Sequence, residues 1–260
     1  MNDLYPPESQ HLDIIGHLEE LRRRILVCLG CLAVCTAALF AKGGILIQWV
    51  KQPVARLVDD LIFITPTEVF VSYLKVVLLF AFVLSFPVIL YETWAFFAPA
   101  ASQGFRKRAV FWLMLVVLFF LGGIGFAYKI ALPAALRFLF AFGQDIATPQ
   151  ITLAKYISFF VAFMVIGGVV FETPVLIGLF TDMGFLNSRT LSGKRKYAFL
   201  FIMVFSAVIT PTQDMFNMLV FAVPMVLLFE VGIVVSRFIE KLKHVEFNRV
   251  LACGSPSRGK

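Results

Sequence analysis

From Val69 to Ala98 the chain runs thirty residues with only Lys75 and Glu92 charged. At 1.5 Å per residue a helix of that length crosses a bilayer core of about 30 Å with residues to spare. Further apolar runs lie at about 25–41, 109–128, 156–181, 197–210 and 215–235. Lipid offers no hydrogen bonds to a backbone, so a spanning segment is a helix or part of a closed barrel. These runs are too long for barrel strands and lack a two-residue alternation, which leaves helices. The sequence therefore predicts an all-α membrane protein with six transmembrane helices. Composition agrees, at 60% hydrophobic and 15% charged residues, against about 45–50% and 25% in soluble domains.

The predicted organisation is an N-terminal segment (1–24), one six-helix membrane domain (25–235) and a basic, polar, mobile tail (236–260). The fifth run is about two-thirds of a usual span, so it needs thinned bilayer or packing neighbours. Sixteen of the 23 Lys and Arg residues fall on the side holding both ends of the chain. The positive-inside rule places that side, with both termini, in the cytoplasm. The net charge of +7 is spread in short clusters between apolar runs, which reads as topology and excludes a nucleic-acid face. "RRRILVCLGCLAVCTAALFA" is laid out like a signal peptide, but about twenty residues precede it and no A-x-A site follows. It is read as a retained first span. Two outer segments, Ile45–Phe63 (which contains Pro53) and Leu132–Gly143, are amphipathic enough to lie on the outer membrane surface. Thr210–Asp214 is a tight outer turn.

Enzyme chemistry is missing from the pattern. No G-x-x-x-x-G-K-[ST] loop and no H-E-x-x-H occur, and His11, His17 and His244 all lie outside the apolar runs. Cys28, Cys31 and Cys35 share one helix face without nearby His or acidic co-ligands, which points to packing rather than a metal site. No metal, cofactor or catalytic residue is expected. Polar chemistry is confined to carboxylates. The second, fourth and sixth runs each pair a proline with a glutamate: Pro87 with Glu92, Pro174 with Glu172, Pro224 with Glu230. A proline inside a span bends it and frees a carbonyl. Three bent helices predict a curved wall with one concave side. A charge at mid-bilayer costs about 2.5–3.5 kcal/mol on insertion scales, so Glu172 must be protonated, paired or facing water. It either caps the backbone that Pro174 frees or turns into a cavity. At the mouth of the first span, "HLEELRRR" offers helix salt bridges, Glu20 to Arg24 and Glu19 to Arg23. It also offers an acidic point for an arginine-bearing partner, since a carboxylate accepts a guanidinium as a fork.

These residues carry a family resemblance. "HLEELRRRIL" (His17–Leu26) resembles the opening motif of TatC, the receptor subunit of the twin-arginine protein translocase. "TPTEVFVSYLK" (Thr65–Lys75), "FPVILYETWAFFAPA" (Phe86–Ala100), "FETPV", the TP and Asp214 of the last outer turn, and "PMVLLFEVGIVVSR" (Pro224–Arg237) follow in the family's order. The resemblance implies a cupped, concave bundle of six bent helices in the bacterial cytoplasmic membrane. It implies binding of signal peptides with consecutive arginines on folded precursors, and assembly with TatA-like and TatB-like single-span partners and with further copies of the chain. Transport would be driven by the proton-motive force. It sets Glu20 in the place of the arginine-recognising glutamate, with Glu19 beside it and Arg22 as companion, and matches Phe96 and Pro99 to the stretch leading into the first inner loop. Phe105 stands where the family usually has a second glutamate, and Met218 where it often has a glutamine. The fifth and sixth spans are its docking region for the small partners, where Ser206, Thr210 and Asn217 form a polar patch able to hydrogen-bond a partner's span. The same resemblance favours Glu172 turned into the cavity.

Two other readings compete. A proton-coupled secondary transporter would use Glu172 as its titrating site beside a broken helix, but would also need inverted repeats and a polar midplane pocket, and neither is visible. A structural assembly subunit would have no substrate of its own. Only the receptor discriminates a twin-arginine from a twin-lysine peptide.

Overall fold

The computed structural model describes residues 8–55, 57–58, 61–98, 103–143, 150–210 and 214–253, with the backbone alone at 8–15, 17, 103–107, 142–143 and 242–253. Among these residues the regular elements are helices: α1 (Glu8–Phe40), α2 (Gly43–Lys51), α3 (Pro66–Phe97), α4 (Gln103–Phe126), a π-helical turn (Ala127–Ala131), α5 (Leu132–Gly143), α6 (Leu153–Phe171), α7 (Thr173–Asp182), α8 (Ser188–Gly193), α9 (Arg195–Ile209) and α10 (Met215–Cys253). Five helical stretches are long and apolar enough to cross a membrane: Leu18–Phe40, Pro66–Phe97, Arg108–Ala141, Leu153–Met183 and Met215–Lys241. The fifth apolar run forms α9, whose 15 residues reach about 22 Å.

Two expectations change. Leu132–Gly143 is not a separate surface helix. It continues the third span through the π-helical turn, and Leu132, Ala135, Leu136 and Phe140 are buried. Its apolar stripe at i, i+3, i+4, i+8 packs against protein, which satisfies the same amphipathic pattern. The segment after 235 is helical as far as Cys253, and within it Arg237 and Glu240 bond to α8, as described below. Residues 254–260 lie outside the described residues.

The chain divides into two units. The first contains Met1–Gln52, Phe63–Leu113 and Thr152–Ile157. Thr65, extended, leads into Pro66 at the start of α3, where a fixed φ and a missing N–H cost nothing. α1 packs along α3, which buries Ser72, Val76, Val77, Leu79, Ala81 and Ser85. At the corner after α1, Tyr73 donates its hydroxyl to the Phe40 carbonyl, and its ring stands edge-on to Phe40 at 5.1 Å. The same ring covers Gly43, where a Cβ would overlap it. Glu68 accepts from the backbone N–H groups of Ile64 (3.0 Å) and Ala154 (2.8 Å), and the Tyr156 hydroxyl donates to the Val50 carbonyl at 2.5 Å.

The second unit contains Pro53–Ile62, Met114–Ile151 and Ser158–Lys260. α4 and α6 cross at glycines. A Cβ on Gly167 would lie 2.5 Å from Ala127 Cβ and 2.8 Å from the Gly123 carbonyl oxygen. Close approach of this kind is what small residues give in membrane helix pairs. α7 and α10 meet as tightly, with Ile177 against Gly232. A core of Val170, Ile177, Ile202, Ala222, Met225, Phe229 and Ile233 joins α6, α7, α9 and α10. α7 ends in a Schellman motif: Gly184, at φ +86°, lets its own N–H reach the Thr181 carbonyl and that of Phe185 the Phe180 carbonyl. Past that turn, the extension of α10 holds the next elements. Glu240 accepts from the Ser188 N–H (2.7 Å) and hydroxyl (2.5 Å), Arg237 donates to Ser192, and Glu230 pairs with Arg195 at 2.8 Å.

Candidate recognition site and the intramembrane carboxyl

Residues four apart on a helix meet, and Glu20 and Arg24 do so on α1. Arg24 Nη2 lies 2.5 Å and Nε 3.1 Å from Glu20 Oε1. The remaining arm reaches α3, where Nη1 sits 3.0 Å from Glu92 Oε2. One guanidinium is therefore shared between two carboxylates. Glu20 keeps 37% of its side chain exposed, and among the described residues the contacts to it fall on Oε1. Glu19 and Arg22 are not brought to this place. Neighbours one and two steps along a helix point elsewhere, and both line a separate groove of about 400 Å³ with Arg23, Leu26 and Val27.

Phe96 lies one turn beyond Glu92 on α3, edge-on to Phe97 at 5.2 Å. Pro99 and the Phe105 side chain lie outside the described residues. From the sequence, Glu92 reads only as the acid near Pro87. The signal that could have marked it is the cost of a carboxylate in an apolar helix, which calls for a partner. Its partner is 68 residues away, beyond any local pattern.

The three proline-associated glutamates separate cleanly. Glu92 pairs with Arg24 and Glu230 with Arg195. Glu172, at the break between α6 and α7, is 9% exposed, and neither carboxyl oxygen has a hydrogen-bond partner among the described residues. The carbonyl that Pro174 frees is that of Val170, four residues back. Thr173 satisfies it, with Oγ1 donating at 2.7 Å. The capping role considered for Glu172 therefore belongs to Thr173, whose hydroxyl makes that bond. Pro87 and Pro224 remain inside unbroken helices, and Pro53 sits half-buried in the turn after α2.

Ser206, Thr210 and Asn217 are buried and bonded locally. Ser206 donates to the Met203 carbonyl, Thr210 donates its hydroxyl to the Ser206 carbonyl, and the Asn217 N–H and side-chain amide donate to Asp214 at 2.7 and 2.8 Å. Asp214 immediately precedes α10 and caps the N–H of Asn217, the third residue of the helix.

The family model for TatC, the Sec-independent protein translocase protein, matches residues 16–224. The chain belongs to the TatC family. It is 33% identical over 233 residues to the TatC of Carboxydothermus hydrogenoformans, covering 90% of this chain and 96% of that one. It is 34% identical over 228 residues to that of Escherichia coli K12, with 86% and 88% covered. A crystal structure described as the twin arginine translocase receptor TatC superposes with a TM-score of 0.74 at 30% identity, covering 86% of this chain and 99% of that chain. A second such structure, in DDM, gives 0.75 at 31%, with 85% and 99% covered. The all-α membrane fold follows from this likeness, as does the function class: TatC is a multi-pass membrane component of a protein translocase, not a catalytic enzyme.

Proposed function

We propose that this TatC chain is the signal-peptide receptor of a twin-arginine translocase in a bacterial cytoplasmic membrane. It crosses six times with both termini in the cytoplasm, and α9 is the short fifth span. Glu20 takes one arginine of the precursor's twin-arginine motif. The observation that carries this is the Glu20 carboxylate, 37% exposed and already accepting a guanidinium, that of Arg24. Phe96 and Pro99 flank the bound peptide. Phe105 leaves the first inner loop without its usual acid, so recognition leans more heavily on Glu20. Glu19 and Arg22 border the site from the neighbouring groove.

Single-span TatA-like and TatB-like partners dock along α9 and α10, meeting on α9 the outward side chains Leu200, Phe201, Val204 and Val208. Ser206, Thr210, Asn217 and Asp214 shape the end of that surface. Further copies of the chain join the complex, and the proton-motive force drives transport. Glu172, whose carboxyl has no hydrogen-bond partner among the described residues, locally wets or thins the membrane. The test is export of a folded twin-arginine precursor in cells whose own TatC has been replaced by this chain. Glu20→Ala and Glu20→Lys abolish export on this reading, and export at the unsubstituted level in either variant would contradict it.

A further inference from the structure

Two features of the Glu20 site bear on how an incoming arginine reaches it. The first is that the carboxylate assigned to an incoming arginine is already engaged by an arginine of its own chain, Arg24, through Nη2 and Nε. The second is that Arg24 does not close a full fork on Glu20. A symmetric guanidinium–carboxylate fork places two parallel N–H groups on the two oxygens of one acid. Here both N–H groups converge on Oε1, and the third contact goes across to Glu92 Oε2 at 3.0 Å. Arg24 is thus divided between two acids on two helices, with 22% of its side chain exposed, against 37% for Glu20 and 18% for Glu92. Its nearer acid is the more exposed one, and its farther acid the more buried.

We infer that Arg24 is a resident competitor for Glu20, and that Glu92 is the acid to which it withdraws when a partner's guanidinium takes that carboxylate. This rests on the reading of Glu20 as the arginine-recognising residue. The exchange keeps charge balanced at each step: Glu20 passes from one guanidinium to another, and Arg24 is never left without an anion, because Glu92 already touches it. A peptide lacking a fork-forming guanidinium does not repay the lost Glu20–Arg24 contacts, since a lysine ammonium is a single point of charge. The internal pair thereby sharpens selection for arginine at the expense of absolute affinity, the use of a competing contact to set specificity.

The test measures binding of a fluorescent twin-arginine peptide, and of its twin-lysine counterpart, to the full chain in detergent. The variants are Arg24→Gln, Arg24→Lys, Glu92→Gln and the double variant Arg24→Gln/Glu92→Gln, each with its melting temperature recorded. Removing the competitor tightens twin-arginine binding about fivefold, the scale of a partly exposed ion pair, and narrows the preference over twin-lysine. Arg24→Lys gives a smaller gain of the same sign. Glu92→Gln, which leaves Arg24 only Glu20, weakens binding about fivefold, and this loss vanishes in the double variant. Weaker or unchanged binding in Arg24→Gln would overturn the inference by making Arg24 a support for Glu20. A Glu92→Gln loss that persists in the double variant would overturn it by placing Glu92 on the peptide itself. If the unsubstituted chain fails to prefer twin-arginine over twin-lysine, the receptor reading fails first, and that result is distinct from the others.

Discussion

The α4–α6 crossing sets how α6, and therefore Glu172, is held, and Gly167→Ala perturbs it directly. The added Cβ would lie 2.5 Å from Ala127 Cβ and 2.8 Å from the Gly123 carbonyl oxygen. Carbon–carbon contacts are comfortable at about 3.5–4.0 Å, so the helices must part by about 1 Å. Neither obstructing atom is the end of a flexible side chain, so no rotamer change relieves the overlap. The cost is that of an overpacked core, about 1–3 kcal/mol. Neighbouring glycines supply internal standards. At Gly168 the new Cβ would meet the Phe120 ring edge, at 2.5 Å from Cε2, and a side chain turns aside more cheaply than a backbone. At Gly122 and Gly125 nothing lies within 4 Å, so alanine there should only gain helix propensity, up to ~1 kcal/mol. Thermal unfolding of the purified protein in detergent should rank Gly122→Ala at or above the unsubstituted chain, Gly168→Ala below it and Gly167→Ala lowest. Ala127→Gly should recover part of the Gly167→Ala loss. Equal melting temperatures for Gly167→Ala and Gly122→Ala would refute the crossing as described.

Three further outcomes follow from single contacts. Thr173→Val keeps shape but strands the Val170 carbonyl freed by Pro174, which should cost about 1–3 kcal/mol in the same unfolding assay, whereas Thr173→Ser should stay within a few tenths. Glu240→Gln weakens two hydrogen bonds into Ser188 and should raise amide exchange in α8 without altering exchange in α3, as read by hydrogen–deuterium mass spectrometry. Glu172→Gln removes the ionisable carboxyl and keeps hydrogen bonding, whereas Glu172→Ala removes both. Export measured in cells should fall in both variants, further in the alanine, and normal export in both would make the residue structurally incidental.

What the sequence made legible is whatever the helix period or the bilayer imposes locally. The apolar runs announced the membrane helices because thirty positions with only two charges have few other uses. The Glu20–Arg24 pair followed from i, i+4 spacing. The N-cap of α10 was equally readable, since Asp214 stands three residues before Asn217, whose N–H it accepts. Thr173 could have been found by counting four residues back from Pro174 and asking which neighbour donates to that carbonyl. Two features were out of reach. The Arg24–Glu92 contact joins residues 68 positions apart, which no local pattern encodes. The π-helical turn at Ala127–Ala131, which carries the third span into α5, occurs in an apolar stretch that an ordinary α-helix would fit as well.

The most direct measurement of the central claim is peptide binding by the unsubstituted chain and Glu20→Gln, with twin-arginine and twin-lysine peptides compared side by side. Glutamine keeps the size of Glu20 and one accepting oxygen but loses the charge that strengthens its bond to a guanidinium. The account predicts that the unsubstituted chain binds the twin-arginine peptide more tightly, and that Glu20→Gln loses about tenfold in that affinity while the twin-lysine value moves little. Equal affinity for the two peptides in the unsubstituted chain, or an undiminished twin-arginine preference in Glu20→Gln, would contradict it.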